Sequence, residues 1–405
     1  MTHHQNRHPR RVPWRMPRRL LAGGLLLSLL TTGCAGTPAD PGGGGVLRVG
    51  FIASLSGIYQ SVGEDMRDGF TLYLELNDGR LGGRDVQLLV ADEGDGPATA
   101  LPAAERLIRQ EQVHALSGIV GGGSYAAIAP LAAEHQIPLV GANGRPTLDQ
   151  DEVDWLWHTS FISDQPGQAI AEYVLDTVDG PVYAIGPDYQ GGHDELRGFV
   201  DTYTDLGGVL ANPDGQTTWT PFPDTTDFLP YLAAIAATDA AAVYTFYAGR
   251  PAIDFVTQYA QSPVADLPLY GAFLTEGAIL AAQGQAAEGI WNVLNYSPDL
   301  DNPANRAFVA EWSARYDRTP TTFAMASYDA AAVLDKAIAT IDGQVTRAGI
   351  NTAIGGLGQI DSPRGPWQFS TVTHAPIQRW YLRVVANDGA ELSNILVQDL
   401  ATIGH

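Results

Sequence analysis

Short apolar runs alternate with amphipathic segments along most of this 405-residue chain. Residues 46–57, "VLRVGFIASLSG", read as a buried strand that ends in a small-residue loop. The next stretch, "GEDMRDGFTLYLELND", sets Met66, Phe70, Leu72, Leu74 and Leu76 near helical spacing, with acids in its first turn where the macrodipole favours them. "RDVQLLVAD" predicts a strand, and "GPATALPAAERLIRQE" predicts a helix with Pro97 near its start. "VHALSGIV", "SYAAIAPLAAEH" and "IPLVGANG" continue as strand, helix and strand. After a break near "HTSFISDQPG" the alternation resumes through "GQAIAEYVLDT", "PVYAIGP", "GHDELRGFVDTYTDLG", "DFLPYLAAIAAT", "AAVYTFYAG", "AIDFVTQYAQS" and "LPLYGAFL". Beyond Asn295, "NPANRAFVAEWSARYD" and "TFAMASYDAAAVLDKAIAT" are helical by spacing, and "GPWQFS" with "IQRWYLRVVA" predict a closing antiparallel pair.

This order predicts an α/β protein of two doubly wound parallel-sheet lobes. The late helices complete the first lobe, so the chain recrosses. Expected boundaries are 46–163 with 297–368 for one lobe and 164–296 with 369–405 for the other. Several crossings form a hinge, and the cleft between the lobes falls at the carboxyl ends of the strands, where open α/β sheets take ligands.

The start of the chain follows a different pattern. Residues 1–33 hold six arginines, no acid, and the apolar run "LLAGGLLLSLL", followed by small residues. That is the order of a secretory signal, and eleven apolar residues are too few to span a bilayer core, which takes about 20. Cys34 is the only cysteine in the chain, so neither a disulfide nor a multi-cysteine metal site explains it. "LTTGC" resembles the lipobox of bacterial lipoproteins, with Thr31 where leucine is usual. The expectation is a signal peptide at 1–33, lipidation at Cys34 and a flexible linker at 34–45, reaching roughly 20 Å by random-coil scaling. An ordinary signal with a chance cysteine is the alternative, and the general and twin-arginine export routes both stay open.

Without the leader, 17 basic side chains face 45 acidic ones, a net charge of −28. Such a surface repels phosphate backbones, so no nucleic-acid partner is expected. "GGGSYA" at 121–126 fits G-x-G-x-x-G/A, but it is not in the first βα turn, and the following strand ends without the acid that would hold a ribose. A tight turn exposing N–H groups at a helix start, suited to a carboxylate, is the better reading. No G-x-S-x-G, H-E-x-x-H or P-loop occurs, and the histidines after the leader lie far apart. "DEGDG" at 92–96 lacks the closing glutamate of a calcium loop, with Ala103 there instead. No enzyme activity, metal or cofactor is expected.

Several of these stretches together resemble one family. "FIASLSGIYQSVGEDMRDGFTLYLELND", "AIGPDYQGGHDELRGF", "LYGAFLTEG" and "DLDNPANRAFVAEWSARYDRTPTTFAMASYDAAAVL" are similar, in order and spacing, to type I solute-binding proteins of the branched-chain amino acid kind. The likeness covers residue 46 to the C-terminus. It implies the type I periplasmic binding protein fold and first-lobe ligand contacts from Leu55, Ser56 and Gly57, from Gly122, Gly123 and Ser124, and from Ala142, Asn143 and Gly144. Arg145 is either a further ligand charge or an exposed loop residue. In the second lobe the resemblance implies Tyr189 and Gly191 of "DYQGG", Phe246 or Tyr247 as an aromatic wall, and Glu276 as the acid that meets an amine. A carboxylate at a helix start is the alternative role for Glu276. Gly191 stands where many relatives carry tyrosine, which implies a larger pocket.

The resemblance further implies a binding protein of an ABC importer, working with permease and ATPase subunits, lipid-anchored outside the cytoplasmic membrane and monomeric. The wording "FYAG", "LYGAFLTEG" and "DLDNPAN" is closer to relatives associated with aromatic acids than to strict leucine binders. The ligand expected is a small carboxylate, aromatic or of the hydrophobic amino-acid type. A ligand-sensing domain for a signalling partner is the alternative.

Overall fold

The computed structural model describes residues 45–149, 152–389 and 391–404. The expected leader, Cys34 and nearly all of the linker lie outside the described residues. The first run comprises β1 (Leu47–Ala53), α1 (Gln60–Leu76), β2 (Arg80–Leu81), β3 (Arg84–Asp92), α2 (Pro97–Arg109), β4 (Ala115–Gly118), α3 (Gly122–Glu134), β5 (Leu139–Gly141), β6 (Gly144–Arg145), β7 (Leu156–His158) and β8 (Phe161–Ile162). Its main sheet has the order β2-β3-β1-β4-β5-β7, parallel except for the β2–β3 hairpin. β1 lies inside this sheet and is buried at every position except Arg48. That explains its nearly continuous apolar run, because helices cover both faces.

The second run comprises α4 (Gln165–Thr177), β9 (Val182–Asp188), α5 (Gln190–Asp205), β10 (Thr218–Pro221), α6 (Leu229–Ala236), β11 (Ala242–Phe246), α7 (Gly249–Tyr259), β12 (Leu269–Ala272), α8 (Ala278–Gln283) and β13 (Trp291–Leu294). The chain then forms α9 (Pro303–Tyr316), α10 (Thr322–Ala339), α11 (Arg347–Gly355), β14 (Gln368–Phe369), β15 (Pro376–Asn387) and β16 (Leu392–Ile403). The second sheet runs β10-β9-β11-β12-β13-β15-β14, with β16 paired on β15. Its first five strands are parallel and the last three add antiparallel. The predicted antiparallel pair is β14 with β15. β16 was not read from the sequence; it carries bulges at Leu400 and Val397, opposite the Trp380–Tyr381 and Leu382–Arg383 steps of β15, which break its alternation.

The late helices α9 and α10 lie against α1 of the first lobe. α10 packs along α1 so closely that a Cβ at Gly69 would lie 2.1 Å from the Ala324 carbonyl oxygen. The Tyr73 hydroxyl donates to Asp335 (2.8 Å), Thr321 Oγ1 donates to Asp65 (2.8 Å), and Arg318 reaches Asp68 (2.9 Å).

Three passages connect the lobes, at residues 159–163, 295–297 and 362–376. Polar side chains that are nearly all buried tie them together. Arg364 donates to the Thr159 carbonyl oxygen, to Gln378 Oε1 and, at 2.7 Å, to Asp329 on α10. Asn295 Nδ2 donates to Gln378 Oε1 at 3.0 Å, and Thr322 Oγ1 donates to Asn295 Oδ1 at 2.7 Å. Ser362 Oγ (2.6 Å) and Trp367 Nε1 (3.2 Å) also donate to Asp329. The Arg364 and Asp329 side chains are 2% and 1% exposed, which makes this a desolvated ion pair.

Removing one partner of such a pair leaves an uncompensated buried charge, at a cost of about 3–5 kcal/mol. Asp329→Ala is therefore expected to lower unfolding stability by that amount in urea titrations. Asp85→Ala, which removes an exposed partner of Arg80, is expected to leave the midpoint unchanged.

Candidate functional site

Between the lobes, at the carboxyl ends of both sheets, lies a chamber of about 540 Å³, its open mouth included. Turns after β1, β4 and β5 supply Tyr59, Val120, Gly121, Gly122, Asn143 and Gly144 from the first lobe. Turns after β9, β11 and β12 supply Tyr189, Gly191, Ala248 and Phe273 from the second, with Phe246 from the end of β11. Phe161 and Ser163 line it from the first hinge passage, Phe323 from α10, and Glu195 from α5.

Two features set its chemistry. The first is a ring of helix starts: α1, α3, α5 and α7 all begin here, behind Tyr59, Gly121, Tyr189 and Ala248, and none of the four carries a side-chain cap among the described residues. The N–H groups of a first helical turn have no intrahelical partner and favour an anion. α10 differs, because Thr321 Oγ1 accepts from Ala324 N and Glu276 accepts from Thr322 N at 3.1 Å. The second feature is aromatic. Phe273 stacks on Phe161 (4.8 Å between centroids) and on Phe323 (5.8 Å), and meets Phe246 edge-on (5.9 Å). Its φ of 61° and the φ of 68° at Ile119, beside Val120, are left-handed values that non-glycine residues adopt at a cost, and such strain collects at functional sites.

The lobes touch at the mouth. The Tyr59 hydroxyl donates to the Tyr189 hydroxyl at 3.2 Å, and Arg250 N donates to the Ile58 carbonyl oxygen at 3.3 Å. Gly249 has φ 60°, and a Cβ there would stand 2.4 Å from that carbonyl oxygen, so only glycine permits the approach.

Of the residues named from the sequence, Gly122, Asn143, Gly144, Tyr189, Gly191 and Phe246 meet in the chamber. Gly123 lies in the same helix start outside the lining, and Ser124 and Ala142 are buried behind it. Leu55 and Ser56 are held away from the lining by Asp92, which accepts from Leu55 N (2.8 Å) and Ser56 Oγ (2.6 Å). Arg145 is neither exposed nor in the lining; it is 1% exposed and donates to the Pro146 and Thr373 carbonyl oxygens. Tyr247 points into the second lobe's core, with its hydroxyl 3.0 Å from Thr220 and its ring against Phe228 and Phe255. Glu276 lies outside the chamber, paired with Arg383 and capping α10. Gly191 lines the chamber, and a Cβ there would meet the Tyr189 ring at 2.9 Å, so the glycine also accommodates that ring.

Two buried acids of this site were not read from the sequence. Glu93 accepts from Val120 N (2.6 Å) and Gly121 N (2.8 Å), fixing the turn before α3. Burial pushes its carboxyl up to about 7, against the pull of these N–H groups. Glu195 accepts from the Tyr244 hydroxyl, and burial pushes it up to about 8. A signal for Glu195 was available: it stands at i+4 from Gly191 and i−4 from Phe199, an acid on the inward stripe of an amphipathic helix.

A cleft between two doubly wound lobes, lined by rings and uncapped helix starts, defines a binding protein for a small ligand. A family profile described as "Periplasmic binding protein" matches residues 46–390, and the chain belongs to that family. The solute-binding protein of an ABC transporter from R. palustris, solved in complex with benzoate, is 31% identical, with a TM-score of 0.80 over 89% of this chain and 98% of that one. Another from R. palustris, in complex with 4-hydroxybenzoate, is 26% identical, with a TM-score of 0.81 over 88% and 98%. "Leu/Ile/Val-binding protein homolog 6" of Brucella suis biovar 1 is 27% identical over 349 residues, 84% of this chain and 88% of its own.

Both acids titrate higher in the folded chain than in an unfolded one, so the native state holds more protons between the ordinary carboxyl range and about pH 8. Their contribution to stability is complete in acid and is lost as pH rises through about 7 and 8. Thermal unfolding of the ligand-free protein should therefore give a falling midpoint from pH 5 to pH 9, with a shallower fall in Glu195→Gln. An identical slope in the variant would contradict the assignment.

Proposed function

We propose that this chain is the extracytoplasmic solute-binding lipoprotein of an ABC importer, that it captures a small aromatic carboxylate in the chamber, and that it delivers it to a permease. The observation that carries this reading is the meeting of uncapped helix starts with six aromatic rings in one cleft. A chain with a net charge of −28 after its leader does not attract an anion by its overall field, so the carboxylate has to be held locally. The first turn of α3 suits that role, with Glu93 holding the preceding turn in shape. The rings suit the apolar body of the ligand. Closure of the lobes, guided by the Tyr59–Tyr189 contact, excludes water and strengthens the polar contacts inside. Glu276, already paired with Arg383, is a poor counter-charge for an amine, which favours aromatic acids over leucine-type amino acids.

A thermal-shift screen over benzoate, hydroxybenzoates, cinnamate and hydrophobic amino acids, followed by calorimetry, tests the reading. Aromatic acids are expected to bind, stabilising by about 2.7 kcal/mol at a hundredfold excess over Kd. Phe246→Ala is expected to weaken them roughly tenfold, in line with the loss of one aromatic contact. Tight leucine binding with no response to any aromatic acid would refute it.

The anchoring role belongs to Cys34, whose thiol in "LTTGC" suits acylation. Cys34→Ala is expected to move the protein from the membrane to the soluble fraction of fractionated cells. A variant still firmly membrane-bound would exclude the anchor.

A further inference from the structure

We propose that Glu195 selects the ligand: the chamber takes an aromatic acid that carries a hydroxyl remote from its carboxylate, and Glu195 receives that hydroxyl. This inference rests on the aromatic-acid reading above and narrows it to a substrate class.

Glu195 is 1% exposed and lines the chamber from the second turn of α5. Its Oε1 accepts from the Tyr244 hydroxyl, and Tyr244 is itself locked in the second lobe's core by stacking on Phe199 at 3.6 Å. Its Oε2 has no hydrogen-bond partner among the described residues, and no Arg, Lys or His among them forms an ion pair with Glu195. Glu195 thus lines the chamber and keeps one buried carboxyl oxygen without a partner, which a ligand's polar group can satisfy. The carboxylate seat at α3 and this oxygen belong to opposite lobes, so a flat, rigid ligand with polar groups at both ends would bridge them as the cleft closes.

The chemistry favours a hydroxyl over an ammonium. Burial keeps the Glu195 carboxyl protonated at neutral pH. A neutral carboxyl pairs with a hydroxyl, as donor and as acceptor, with no charge moved into the cleft. An ammonium pairs well only with an ionised carboxylate, so the carboxyl would first have to lose its proton to water, leaving an ion pair in an apolar wall. A site built to hydrogen-bond a hydroxyl also discriminates against the analogue that lacks it, because the protein's polar group is then left unpaired.

Calorimetry with benzoate, 3-hydroxybenzoate, 4-hydroxybenzoate and 4-(aminomethyl)benzoate tests this on wild type, Glu195→Gln and Glu195→Leu. Wild type is expected to bind the better hydroxybenzoate at least roughly tenfold more tightly than benzoate. Glu195→Leu is expected to erase that preference by weakening the hydroxybenzoate while leaving benzoate bound, and Glu195→Gln to restore part of it. The wild-type comparison needs no variant, so it stands if a variant fails to fold. Equal binding of benzoate and both hydroxybenzoates by wild type would overturn the inference. So would a preference that survives in Glu195→Leu, or tightest binding of the aminomethyl compound. Failure of every aromatic acid to bind would overturn the aromatic-acid reading itself, a separate outcome.

Discussion

One buried guanidinium organises this molecule. Arg364 contacts Thr159 in the first passage between lobes, Gln378 just after the third, and Asp329 on the helix that returns to the first lobe. Asn295 brings in the second passage through Gln378. One apolar cluster runs from the first lobe into the second beside two that stay within a lobe, but apolar contact is not directional. Desolvated hydrogen bonds at the crossings are. They fix the passages while the two faces of the cleft stay joined mainly through contacts at the mouth. The result is a polar, hydrogen-bonded crossing region next to a cleft that is open and lined by rings.

The cleft inherits its chemistry from the topology. Parallel βαβ winding places strand ends, and the helix starts that follow them, on the same edge of each sheet. Two such edges facing each other bring four helix starts without side-chain caps to one chamber, which has no basic side chain in its lining. The protein's own carboxylates moderate their field. Glu93 shapes the turn before α3, Glu276 closes the start of α10, and Glu195 stands on the far lobe with one oxygen unpaired.

Much of this was legible in the sequence. Alternating apolar and amphipathic stretches gave the two windings, and the late helices were legible as helices by their spacing. The loops at 121–124 and 142–144 were legible as helix-start and strand-end turns. The rest was hidden for physical reasons. Arg364, Gln378 and Asn295 look like surface polar residues because their partners are up to 218 positions away. Glu276 and Tyr247 sat at the expected positions, but pairing with Arg383 and packing on Phe255 turned them elsewhere. Phe161, Phe273 and Phe323 belong to separate segments, and only folding gathers them around one chamber.

A crystal structure of the protein with 4-hydroxybenzoate tests the central claim most directly. The account predicts the ligand between the lobes, with its carboxylate at the first turn of α3, its ring against Phe246 and Phe273, and its hydroxyl at Glu195. A ligand lodged instead in the groove beside Glu276 and Arg383, or bound with its carboxylate away from α3, would contradict it.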